Sequence, residues 1–157
     1  MNIRNVIALA ISMCATLPAY AGVTVNDAWV KVTESGQTTA EAYMLIKSDS
    51  AAKLVGVSST AAKITQIHEM KMQGSEMQMR AIDSLDLPAG RTIEFKPGGY
   101  HIMLSGLSQP LVQGATVPLT LTIEDINKQR QSIEVKIEVR NAMPLGDMKD
   151  MGSMKGM

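Results

Sequence analysis

From about residue 23 onward, apolar and polar side chains alternate along most of the chain, with many Val, Ile and Thr among them. In an extended strand successive side chains point to opposite faces, so such alternation gives each segment one apolar face and one polar face. The pattern predicts strands at 23–33, 42–47, 53–58, 63–72, 76–83, 91–96, 100–104, 117–124 and 132–140. Turn-forming residues separate them: Gln73-Gly74-Ser75, Leu87-Pro88-Ala89-Gly90, Lys96-Pro97-Gly98-Gly99, Gln113-Gly114 and the polar run over 125–128. No segment carries an apolar helical stripe over ten residues. Short strands at this spacing predict an all-β fold, an antiparallel β-sandwich of cupredoxin-like or immunoglobulin-like type.

The two ends break the pattern. Residues 1–21 begin with Arg4, continue through an apolar run over 6–17 and end in Ala19-Tyr20-Ala21 before Gly22. That sequence has the three parts of a secretory signal peptide, with cleavage expected after Ala21 and export to the periplasm. Cys14 follows Met13, where a lipoprotein leader would carry a small residue, so no lipid anchor is expected there. At the other end, residues 142–157 place a methionine about every third position among Gly, Lys and Asp. With almost no branched or aromatic residues, this segment is expected to be a flexible Met-rich tail. The predicted organisation is a signal peptide over 1–21, a β-sandwich domain over 22–141 and a tail over 142–157.

Charge and cysteine content narrow the chemistry. Fifteen Lys and Arg balance fifteen Asp and Glu, and loss of the leader would remove one of the basic residues. No basic cluster exists to hold a phosphate backbone, so nucleic acid is not an expected partner. The only cysteine lies in the leader. The mature chain would therefore have no disulfide, no nucleophilic thiol and no thiolate metal ligand. No other apolar run is long enough to span a bilayer as a helix. An enzymatic role is not expected, because carboxylates such as Glu69 and Glu76 form no evident acid–base constellation.

Against this background the stretch over 68–80, HEMKMQGSEMQMR, is unusual: it sets four thioethers beside one of only two histidines. If Gly74-Ser75 forms a two-residue hairpin turn, Met72 lies opposite Met77 and Met70 opposite Met79. His68, Met70, Met72, Met77 and Met79 then share one face, with His68 diagonal to Met79. The second histidine repeats the arrangement, since His101 and Met103 are two apart in a predicted strand. Methionine at alternate strand positions is ordinarily core packing. Two imidazoles and two thioethers, however, are a donor set suited to Cu(I), whereas Zn(II) favours thiolate, imidazole and carboxylate. Without a thiolate, a blue-copper electron-transfer centre is not expected.

The spacing of His68, ten residues, Met79, twenty-one residues, His101, one residue and Met103 resembles the motif of the periplasmic copper chaperone family called PCu(A)C. Further stretches are similar to that family: Asn26-Asp27-Ala28-Trp29-Val30, Glu41-Ala42-Tyr43-Met44, the run over 54–59, Ile67-His68-Glu69-Met70, the run over 87–90 and the run over 97–104. The likeness covers roughly residues 24–140. It implies a cupredoxin-like sandwich that binds one Cu(I) through His68, Met79, His101 and Met103. It also implies a copper acceptor protein, either a cytochrome oxidase copper-centre subunit or a Sco-type thioredoxin-like protein. Met70 and Met72 fall outside the four-ligand motif, and the tail lacks the histidines of some relatives' extensions. Copper tolerance by sequestration, and a metal-free sandwich that binds proteins through its Met-rich face, are the competing readings.

Overall fold

A computed structural model describes residues 22–141. The predicted leader with Cys14, the cleavage point after Ala21 and the Met-rich tail lie outside the described residues. Ten strands follow one another: β1 (Val23–Lys31), β2 (Thr39–Ser48), β3 (Ala52–Ser58), β4 (Ala62–Gln73), β5 (Glu76–Ile82), β6 (Leu85–Leu87), β7 (Thr92–Phe95), β8 (His101–Leu107), β9 (Thr116–Asp125) and β10 (Arg130–Arg140). Among the described residues there is no helix, so none is long and apolar enough to cross a membrane.

Hydrogen bonding joins the strands in the order β5-β4-β8-β2-β1-β10-β9-β3-β6, with β7 beside β2. The path does not close, and its two ends, β5 and β6, are edges. Buried residues from both halves of this path form a single apolar cluster, including Val30, Met44, Leu54, Ile67, Phe95, Ile102, Leu104, Leu121 and Ile137. The sheet therefore folds over itself as a sandwich, as the alternation predicts. β2 makes the fold possible by changing partner: its first half pairs with β8 and its second half with β7.

Two features depart from the sequence-based expectation. β1 and β10 pair in parallel, Trp29 opposite Glu138 and Val30 opposite Val139, whereas every other ladder is antiparallel. Parallel neighbours need no hairpin between them, and here they are the first and last strands of the domain. The pattern also misses β6, because a three-residue strand is too short to show alternation. Its Leu85 and Leu87 are nevertheless buried on either side of exposed Asp86.

The candidate ligands read from the sequence fall on β4, β5 and β8. β4 and β5 form a hairpin with Gln73 opposite Glu76, so Gly74-Ser75 is a two-residue turn. Gly74 has φ 65° and Ser75 has no positive φ, the pattern of a type II′ turn with glycine at its first central position. β8 lies on the other side of β4, with His101 directly opposite His68.

Candidate metal centre

The β4–β8 ladder has two chemically distinct faces. Ile67, Ile102 and Leu104 point inward and are buried in the core. The residues between them, Gln66, His68, His101 and Met103, share the outer face by alternation, with Gln66 opposite Met103. On the far side of β8, Met103 is opposite Glu41 of β2. On the far side of β4, His68 is opposite Ala81 and Met70 opposite Met79, which sets Met79 diagonal to His68. The predicted hairpin register is therefore the observed one. His68, Met79, His101 and Met103, separated by up to 35 positions in the chain, lie on one face of three adjacent strands.

The two imidazoles are neighbours, with ring centroids 5.4 Å apart and planes inclined at 63°. His101 is only 2% exposed. Its Nδ1 lies 3.3 Å from the Gly99 carbonyl oxygen. A carbonyl only accepts, so Nδ1 carries the proton and Nε2 keeps its lone pair. The same Gly99 carbonyl accepts the Met70 backbone N–H at 3.3 Å, tying the loop before β8 to β4. His68 makes a long contact of 3.4 Å from Nε2 to the Gln66 Oε1, which leaves Nδ1 as its lone-pair nitrogen.

The remaining ring nitrogens, His68 Nδ1 and His101 Nε2, are buried and have no hydrogen-bond partner. Leaving a buried polar atom unpaired costs about 1–3 kcal/mol, so two of them side by side call for a partner that is not a protein donor. A cation fits, because each ring already has its other nitrogen fixed by an oxygen, the usual way a metal-bound histidine is oriented. Burial, followed by the neighbouring His101, holds the His68 pKa below the ordinary imidazole value, and Glu41 opposes this shift. The ring is thus kept neutral and able to donate.

The other donors on this face are soft. Met79 is 43% exposed, and Met103 is half-buried. No group of three or more His, Cys, Asp and Glu is placed to share a metal among the described residues. An ion held here with more than two protein donors would draw on thioethers, which selects for soft metals. Sequence reasoning missed the supporting groups: Gly99, Gln66 and Glu41. Gln66 was findable, since it stands two residues before His68 on the same strand face. Glu41 was quoted only as part of a resemblance. Its carboxylate accepts a hydrogen bond from the Tyr43 hydroxyl; burial first, and then this bond, raise the Tyr43 pKa. Tyr43 in turn packs on Trp29 at 4.9 Å between ring centroids.

Comparisons with known proteins agree with this architecture. Residues 23–139 match the family named LpqE-like, described as a lipoprotein family. A protein of Leifsonia xyli subsp. xyli named as a lipoprotein, Lxx21020, is 37% identical over 140 residues, covering 83% of this chain and 84% of its own. The solution structure of CuI-DR1885 from Deinococcus radiodurans is 29% identical with TM-score 0.59, covering 80% of this chain and 83% of that one. The copper-bound PCuAC domain from PmoF2 shares the fold at 24% identity and TM-score 0.57, covering 76% of this chain and 96% of that one. The chain belongs to the LpqE-like family, and its fold is the cupredoxin-like sandwich of the PCuAC domains.

Proposed function

We propose that this chain is an exported copper chaperone, not an enzyme, which holds one Cu(I) through His68, Met79, His101 and Met103 and passes it to an acceptor protein. The observation that carries the reading is the pair of buried, unpartnered ring nitrogens on facing strands, with a thioether on either side of them on the same face. The copper named in the similar structures adds support. Neutral imidazole and thioether donors release no proton from sulfur when the ion binds or leaves, and they suit a soft d¹⁰ ion. An exposed Met79 lets an incoming ligand reach the ion while the buried His101 still holds it. Transfer then proceeds by ligand exchange: a bond to the acceptor forms as a bond to this chain breaks, and copper stays Cu(I) throughout. The acceptor belongs to a class that binds copper itself, such as an oxidase copper-centre subunit or a Sco-type protein.

The test is an anaerobic Cu(I) competition titration of residues 22–157 against a chromogenic chelator, with His101→Ala and Met79→Leu alongside. One tight equivalent, weakened in both variants without loss of the fold, is the expected result. Wild-type affinity in both variants would remove these residues from the site. Export places the chain in the periplasm, with cleavage after Ala21 in this reading. Intact mass of the exported protein separates a Gly22 start from an acylated Cys14, the form that the relatives' lipoprotein names suggest.

A further inference from the structure

The four-ligand centre uses only one of the hairpin's four methionines. The other three stand on the same outer face, arranged as rungs: Met70 opposite Met79, and Met72 opposite Met77 at the tip. These are not core residues. Met72 is 58% exposed and Met77 48% exposed. The reverse face of the hairpin is polar, with Lys71 opposite Gln78 and Glu69 opposite Arg80, the last two ion-paired. Solvated thioethers on an edge hairpin contribute little packing, so their stabilising role does not account for them.

We propose that Met72 and Met77 form an auxiliary soft-metal site at the hairpin tip, and that Cu(I) passes through it, by way of Met70, into and out of the centre at His68 and Met79. The inference rests on the four-ligand reading above. Directly opposite residues of an antiparallel pair have Cα atoms about 4.5–5.5 Å apart, so two flexible thioethers of one rung can share an ion. Successive rungs on one face are separated by roughly 6.5–7 Å along the strand, close enough for one rung to bind before the previous one lets go. Only neutral sulfur ligands are exchanged. As a bond from copper to Met70 or Met79 forms, a bond to Met72 or Met77 breaks, and no proton or electron moves. Two thioethers alone bind more weakly than a set completed by two imidazoles, so the gradient runs inward.

The experiment uses the full mature chain with ¹³C-methyl methionine, compared with the double variant Met72→Leu/Met77→Leu, which nearly preserves side-chain volume. Ag(I) serves as a redox-inert probe in the titration, and stopped-flow transfer from a Cu(I)–chelator complex gives the rates. The Met72 and Met77 methyl signals should shift during the second equivalent of Ag(I), after those of Met79 and Met103. The double variant should keep the affinity of the first equivalent while uptake and release both slow by about tenfold, a barrier change of roughly 1.4 kcal/mol. Tip methyl signals that do not move, or a double variant that exchanges copper at the wild-type rate, would overturn the entry route and leave the four-ligand centre standing. Absence of any tight first equivalent in the unmodified chain would overturn both.

Discussion

Leu104 and Met103 are adjacent in β8 and differ in which way they point. Leu104 is fully buried in the common core. Met103 is half-buried on the outer face, in line with Gln66 and Glu41. The same division runs through β4, where Ile67 faces the core and His68 the outside. One ladder thus carries two kinds of residue at a period of two. The inner set is apolar and buried, and the outer set carries imidazole and thioether groups. Because the sheet backbone is held by its hydrogen-bond ladder and inner packing, the outer donors can change without unfolding the domain.

That contrast is broken most sharply by exchanging the two outcomes. Leu104→Ala should destabilise the domain by roughly 3 kcal/mol in urea unfolding, the usual cost of a core cavity. At temperatures where it remains folded, it should still bind one Cu(I). Met103→Leu is the converse: stability should change by less than about 1.5 kcal/mol, as Leu and Met are close in volume. Its Cu(I) affinity should fall by about 100-fold, because the proposed site loses a ligand whose removal should cost at least as much as losing a group that only supports one. Equal stability losses in the two variants would show that the faces are not separable.

Smaller effects sharpen the picture. Gln66→Ala removes the oxygen that faces His68 Nε2 and should weaken Cu(I) binding by about tenfold. Both Met103→Leu and Gln66→Ala are read by chelator competition. The smallest predicted effect is on pH. The His68 pKa is lowered in the fold from its ordinary 6.5. Below 6.5 the unfolded chain takes up a proton that the folded ring refuses, so this contribution to apo stability is complete above 6.5 and lost as pH falls towards the lowered value. Glu124, whose carboxylate is hydrogen-bonded by Arg130 and Lys128, is likewise held below its usual 4.5. Its contribution is lost in a separate, more acidic step. His68→Gln should erase the upper step of the apo unfolding profile and leave the lower one.

Much of this arrangement is legible in the sequence because a period of two is both the signature of a strand and the rule that assigns its faces. Nine predicted strands correspond to β1–β5 and β7–β10, and the turn at Gly74-Ser75 fixes the register of Met70 and Met72 against Met79 and Met77. Alternation cannot say which strands become neighbours across the chain. The direct opposition of His68 and His101 therefore emerges only from the β4–β8 pairing, as does the parallel meeting of β1 and β10. The buried state of His101 was equally hidden, since a polar residue on an outward position reads as exposed. Gly99 was illegible for a different reason. Its carbonyl, a main-chain group that any residue possesses, is what sets the His101 tautomer.

In the proposed site, the outer face offers mixed nitrogen and sulfur ligation to a single soft ion. X-ray absorption of residues 22–157, loaded anaerobically with less than one equivalent of Cu(I), is the sharpest test. The expected result is a first coordination shell containing both imidazole nitrogen and thioether sulfur, with the imidazole scattering reduced in His101→Ala and the sulfur contribution reduced in Met103→Leu. A shell of sulfur alone, or of nitrogen and oxygen alone, would contradict it.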